Sequence, residues 1–200
     1  MRIAPPFDLI AAIAYGFVLL SVVALCGVAA AGKKTAAKTT VKRDPKSTIG
    51  LLVQMAAYLL VYTLPRPYFS PIVPMPKSAE AIVAGLAILL AFCSLWFCYA
   101  AARALGKQWA LMARVIEGHE LIVRGPYAVV RNPIYLAMLG TLIAAAITAT
   151  TWPVLVIALV IFLIGTWIRI SIEEKILRSA FGSRFEDYAR RVPAFLPGIL

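Results

Sequence analysis

The residues with reactive side chains gather in two stretches of the second half of the chain. The first is Gly118-His119-Glu120-Leu121-Ile122-Val123-Arg124-Gly125-Pro126-Tyr127, continuing through Val130-Arg131-Asn132-Pro133-Ile134-Tyr135. The second opens on Arg169, Glu173 and Glu174 and continues to Phe181-Gly182, Tyr188 and Val192-Pro193. Both border long apolar runs, where ionisable groups are costly and point to function. Arg169 and Glu173 are four residues apart and share a helix face. As a plain ion pair at that spacing they would contribute about 0.2–0.5 kcal/mol. The same groups can do more: a carboxylate binds a cationic group, and an arginine grips a carboxylate or phosphate through two parallel hydrogen bonds. Gly125-Pro126 and Asn132-Pro133 are turn signals. Pro133 is placed as the first-turn proline of a helix and Asn132 as its N-cap. By itself, Arg131-Asn132-Pro133 reads as an ordinary helix start with a head-group-binding arginine.

The elements that must position these residues are apolar helices. The chain has 200 residues, 62 % hydrophobic and 14 % charged, with a mean hydropathy of +0.87. Soluble domains carry roughly 25 % charged residues, so there is too little polar surface here for a water-soluble globule. A membrane-crossing helix needs about 20 mostly apolar residues. Five runs qualify or nearly so: about Leu9 to Ala31, Ile49 to Leu64, Ala79 to Ala102, Ile134 to Thr150 and Trp152 to Ile168. Only Thr150-Thr151-Trp152-Pro153 separates the last two, which predicts a tight helical hairpin with legs a little short for a full crossing. The expected fold is an all-α, multi-pass membrane bundle of about five helices. It divides into an N-terminal pair with a basic loop, residues 1–78, and a core, residues 79–200.

The formal net charge of +11 is distributed as a topology signal. Alternate loops place seventeen basic residues on one side, in the segments Lys33 to Lys46, Arg103 to Arg131 and Arg169 to Arg191. The other side holds Arg2, Arg66 and Lys77. The asymmetry predicts the N-terminus outside and the C-terminus in the cytosol, and the disulfide-free, compact five-span design suits a bacterial or archaeal plasma membrane. A cleaved leader ending near Ala29-Ala30-Ala31 is argued against by the single Arg2 before the run and the six basic residues after it. The Lys-rich linker from Gly32 to Thr48 has little to bury and is expected to be a mobile loop. No aromatic-interleaved basic face is present, which excludes nucleic acid as a partner and leaves anionic lipid head groups. Cys26, Cys93 and Cys98 lie in apolar runs without paired spacing, and with His119 the only histidine no metal centre is expected. All three cysteines read as small buried hydrophobes.

Taken as an ordered set, these motifs resemble the isoprenylcysteine carboxyl methyltransferase family of phospholipid methyltransferase-like membrane enzymes. The resemblance runs His119-x-Leu121, Tyr127, Arg131-x-Pro133-x-Tyr135, a helical hairpin, Arg169-x3-Glu173-Glu174, Phe181-Gly182, Tyr188, Val192-Pro193, and covers about residues 103 to 197. It implies an S-adenosyl-L-methionine-dependent methyltransferase with a cytosolic cofactor pocket and a lipid-facing slot. His119, Glu120, Leu121 and Ile122 match the segment that lines the cofactor. Tyr127 and Asn132, Pro133, Ile134 and Tyr135 match further cofactor contacts, and Glu173 matches the glutamate that reaches it. Arg169 matches an arginine beside the reacting group of the acceptor. Asn132 stands where the eukaryotic enzymes have histidine, and Met112 where a glutamine contacts the cofactor.

The chemistry is consistent with that transfer. The cofactor carries a sulfonium, an ammonium and a carboxylate, and Glu173, Arg131, His119 and the tyrosines offer both charge signs with aromatic walls. A carboxylate acceptor is ionised at neutral pH and needs no base; an amine would need one. The expected acceptor is hydrophobic or lipid-linked, a prenylcysteine-type carboxylate before a lipid amine, phenol or thiol. Two other classes stay open: a membrane reductase of the sterol-reductase type using NADPH, and a non-catalytic lipid-binding protein whose charged residues are interfacial anchors.

Overall fold

A computed structural model describes residues 8–35, 42–44, 46–66, 71–108, 114–115 and 120–196, with backbone only at 32–35, 42–43 and 114–115. The described chain forms six α-helices: α1 (Leu9–Thr35), α2 (Ser47–Thr63), α3 (Lys77–Leu105), α4 (Pro133–Ala149), α5 (Trp152–Phe181) and α6 (Ser183–Arg191). Two short strands, β1 (Lys42–Arg43) and β2 (Arg114–Val115), pair antiparallel. The helices α1, α3 and α5 are long and apolar enough to cross a membrane, while α2 and α4 are apolar but have 17 residues each. At 1.5 Å per residue, 17 residues span roughly 25 Å, against about 30 Å of hydrocarbon. The chain is an integral membrane protein whose two shorter helices are framed by longer ones.

α4 is the central element. Thirteen of its 17 residues are buried, which fits a helix apolar on every side. Pro133 occupies its first turn, where a missing N–H costs nothing. α3 packs along it so closely that a Cβ on Gly140 would fall 2.1 Å from Ser94 Oγ. From the other side, the Tyr58 phenol of α2 donates to the Met138 carbonyl at 2.7 Å and lies 2.9 Å from Thr141 Oγ1. Leu20, Leu59, Leu86, Trp96, Trp152 and Trp167 face outward, as lipid-facing residues do.

The helix ends fall into two groups. Asp8 caps α1, accepting from the Ile10 N–H at 3.1 Å and the Ala11 N–H at 3.3 Å. The Lys77 ammonium at the start of α3 bridges Asp8 and Glu80, so α1 and α3 begin together. At the same end Arg66, just past α2, donates to the carbonyls of Thr150 (2.6 Å), Ile147 (2.9 Å) and Thr148 (3.1 Å). A guanidinium there satisfies the last carbonyls of α4 and opposes the negative end of its dipole. The opposite end gathers the start of α2, the start of α4 and the charged part of α5.

Three expectations need correction. The second leg of the hairpin is not short: α5 continues past the apolar run that ends near Ile168 to Phe181 and stops at Gly182, whose φ of 52° favours glycine. Hydropathy marks where the apolar environment ends, whereas a helix ends at its cap. The linker expected to lack structure supplies the last turn of α1, strand β1 and the first residues of α2. Of the three cysteines, only Cys98 is buried; Cys26 and Cys93 are exposed on the outer surface of the bundle.

Candidate functional site

The site is built where the first turn of α4 meets α5. The Tyr135 phenol donates a hydrogen bond to Glu173 Oε1. Arg169, one turn before Glu173, sets its guanidinium over the Tyr135 ring, 4.7 Å from the centroid, in a cation–π contact. Its Nη2 lies 3.7 Å from Glu173 Oε1. The Arg169 and Glu173 side chains are 5 % and 24 % exposed, so the arginine is the more deeply buried of the pair.

α2 packs against the buried arginine. The Gln54 amide oxygen accepts from Arg169 Nη1 at 3.1 Å, and its amide nitrogen donates to Thr166 Oγ1 at 2.8 Å. This approach requires two glycines. A Cβ on Gly50 would stand 2.5 Å from Arg169 Cγ, and one on Gly165 would stand 2.8 Å from the Gly50 carbonyl oxygen. Small residues at a helix crossing let backbones meet, as in other membrane bundles.

A second set of contacts holds the C-terminal segment beside the cluster. Arg131 donates through Nε to Glu174 Oε1 at 2.8 Å, and through Nη1 to the carbonyls of Ala189 (3.0 Å) and Val192 (2.5 Å). The Asn132 amide nitrogen donates to the Ala194 carbonyl at 2.8 Å, and the Arg131 and Asn132 backbone N–H groups donate to Pro193 and Ala194. The Tyr188 phenol of α6 donates to the Tyr127 carbonyl at 2.6 Å. Burial pushes the Tyr188 phenol up to about 12. Burial, with the nearby Glu173 carboxylate adding to it, raises Tyr127 well above the usual phenol range.

Among the residues expected in the site, Tyr135, Arg169 and Glu173 form one cluster. Arg131, Asn132 and Tyr127 form the adjoining clasp. Asn132 stands at the N-cap position but makes no capping bond; its side chain is drawn to Ala194 instead. Pro133 is buried at the head of α4 and Ile134 packs partly against the core. Leu121 and Ile122 are half-buried, while Glu120 is exposed with its N–H donating to Gln108 Oε1 at 2.7 Å. His119 and Met112 lie outside the described residues. The sequence reading missed Gln54 and Thr166. A lone amide within an apolar run was the available signal for Gln54.

Residues 82–184, just over half of the chain, match the phospholipid methyltransferase family. The chain belongs to that family. The match starts within α3, takes in Tyr135, Arg169 and Glu173, and leaves out α1 and α2. The fold of this family member is shared with the eukaryotic intramembrane Ras methyltransferase ICMT (isoprenylcysteine carboxyl methyltransferase). The TM-score is 0.51 at 20 % identity, over 80 % of this chain and 55 % of that one. Two bacterial relatives are similar in sequence. The cobalt-zinc-cadmium resistance protein CzcN of Cupriavidus metallidurans is 37 % identical over 94 residues, 46 % of this chain and 43 % of the relative. The nickel-cobalt-cadmium resistance protein NccN of Alcaligenes xylosoxydans xylosoxydans is 34 % identical over 94 residues with the same coverage. The matched part thus spans less than half the length of these relatives.

Proposed function

We propose that this protein is an integral membrane methyltransferase that uses S-adenosyl-L-methionine to methylate a hydrophobic or lipid-linked acceptor at the cytosolic face. The observation that carries the reading is the Tyr135–Glu173–Arg169 cluster, which joins a partly exposed carboxylate to a buried guanidinium within the family-matched residues.

The residues suit the cofactor chemically. Glu173 offers an anionic oxygen for a cationic group, Tyr135 and Tyr127 offer aromatic walls, and Leu121, Ile122 and Pro133 offer apolar ones. Glu120, Ile134, Asn132 and the His119 segment would complete the cofactor side, with Arg131 fixing the segment that bears Asn132. Bound there, the cofactor supplies an electrophilic methyl group on a sulfonium. The protein's part is to hold and desolvate the partners. Arg169 orients the acceptor, and Tyr135 keeps the Glu173 carboxylate in place. A carboxylate acceptor arrives ionised, so no side chain has to remove a proton. Rate enhancement then comes mainly from alignment and exclusion of water. A prenylcysteine-type carboxylate is the favoured acceptor, supported by the fold shared with ICMT.

Five crossings are proposed, with α2 and α4 reaching both interfaces because longer neighbours surround them. The N-terminus is then outside and the C-terminus cytosolic, supported by the split of basic residues and by the grouping of helix ends. The bacterial relatives favour a prokaryotic plasma membrane.

The test is transfer of a labelled methyl group from S-adenosyl-L-methionine to three probes: a farnesylated N-acetylcysteine, a long-chain amine and a long-chain thiol. Incorporation into one of them supports the reading. Binding of NADPH without S-adenosylhomocysteine would replace it with a reductase, and binding of neither would leave a lipid-binding protein. The names of the bacterial relatives favour a second, physiological reading, a part in metal tolerance. A deletion strain that grows as the parent does on cobalt, zinc, cadmium and nickel would dismiss it.

A further inference from the structure

We infer that Gln54 is a positioning residue that aims the Arg169 guanidinium at the acceptor, so that α2 governs how the acceptor is held. The inference rests on the methyltransferase reading given above.

Gln54 lies outside the family-matched stretch 82–184, on a helix that the match does not include. Its side chain is 0 % exposed. A buried amide left without partners costs about 1–3 kcal/mol, and here both ends are engaged, the oxygen by Arg169 and the nitrogen by Thr166. Arg169 settles which end of the amide faces it, because a guanidinium only donates and needs the oxygen, and the Thr166 hydroxyl then accepts from the NH2 group. The room for this arrangement is itself specific. A Cβ on Gly165 would lie 2.9 Å from both Gln54 Cγ and Gln54 N. α2 and α5 therefore approach to the limit of backbone contact at the level of the Gln54 side chain.

Helix packing alone would be served by an apolar residue at this position, with no amide to satisfy. What the amide adds is direction without charge. A neutral oxygen holds Nη1 without placing a second carboxylate on a guanidinium that already has Glu173 at 3.7 Å, so its charge is not further offset where an anionic acceptor would meet it. The Tyr135 ring sits against the guanidinium face and Glu173 lies toward Nη2. Gln54, Tyr135 and Glu173 come from three different helices, and their contacts converge on one guanidinium.

The experiment uses the full chain purified in detergent. It compares wild type, Gln54→Met and Gln54→Glu with whichever of the three probes wild type methylates best. Methionine keeps the volume and loses the oxygen; glutamate keeps an oxygen but adds a second carboxylate to the guanidinium beside Glu173. Both variants are expected to bind S-adenosylhomocysteine within twofold of wild type and to melt within a few degrees of it. Both should lose at least tenfold in kcat/KM for the acceptor, with the cofactor KM unmoved. If Gln54→Met does not fold, Thr166→Val removes the partner of the amide nitrogen and should cost at least threefold in acceptor kcat/KM. Unchanged acceptor kcat/KM in the folded variants overturns this proposal alone. Losses of cofactor affinity and melting temperature in step with activity, restored together by Gln54→Glu, overturn it in favour of a packing role. A wild-type protein that binds no S-adenosylhomocysteine and methylates none of the probes overturns the methyltransferase reading and this proposal together.

Discussion

The Tyr135 phenol on α4 donates its hydrogen bond to Glu173 on α5, joining the opening of one helix to the interior turn of another across 38 residues of sequence. The same ring carries the Arg169 guanidinium on its face. One side chain thus holds the carboxylate and the cation of the site in a fixed relation.

Tyr135→Phe separates those two roles. The ring remains under Arg169, but Glu173 loses its donor. A hydrogen bond to a charged group is worth about 1.5–3 kcal/mol, so S-adenosylhomocysteine affinity should fall by roughly tenfold or more. Calorimetry on the variant checks this; unchanged affinity would mean that Glu173 is held by other groups.

Gly50→Ala tests the close crossing of α2 on α5. The added methyl would meet Arg169 Cγ at 2.5 Å and the Gly165 carbonyl oxygen at 2.7 Å; the side chain would have to turn and the backbone oxygen can retreat only with its helix. Overpacking of this kind costs about 1–3 kcal/mol. The melting temperature should drop and acceptor turnover should drop with it, since the same clash displaces Arg169. Full activity in a normally stable variant would contradict the crossing described above.

Much of this architecture was legible because hydropathy and charge act over contiguous sequence. The five apolar runs, the hairpin turn at Thr150-Thr151 and Pro133 at the head of α4 all follow from local composition. The shared face of Arg169 and Glu173 followed from helical spacing alone. What escaped depends on packing between distant segments. Glu174, one residue past Glu173, turns instead to Arg131 of the loop before α4. Asn132 had the right type for a cap, but the Ala194 carbonyl, 62 residues away, claims its amide. Cys26 and Cys93 sit in apolar runs like Cys98, and no local signal separates a lipid-facing site from a core site when both surroundings are apolar. Gln54 was visible only as a polar residue out of place; its partner, 115 positions on, was not.

Arg66→Met tests the opposite end of the bundle. Three guanidinium bonds to the last carbonyls of α4 are removed, together with a favourable charge at the helix C-terminus. The expected loss is about 1.5–3 kcal/mol of stability, read as a lower melting temperature. Methyl transfer by the folded variant should match wild type, because Arg66 lies at the far end of α4 from Tyr135.

The α6 clasp carries a pH dependence. Tyr188 ionises at about 12 in the folded protein because burial disfavours its phenolate, against about 10 in an unfolded chain. Its contribution is therefore fully present below pH ~10 and is lost as pH rises through the folded value. Melting temperature should decline between those two pH values, and Tyr188→Phe, which also removes the 2.6 Å bond to the Tyr127 carbonyl, should be less stable at neutral pH but decline less. An identical alkaline decline in the variant would assign it to other groups.

The most direct test of the central claim is calorimetric titration of S-adenosylhomocysteine into detergent-purified protein, with Glu173→Ala run beside it. The account predicts binding to wild type and at least a tenfold loss in the variant, about 1.4 kcal/mol. Absence of binding to the folded wild-type protein, or equal binding by Glu173→Ala, would contradict it.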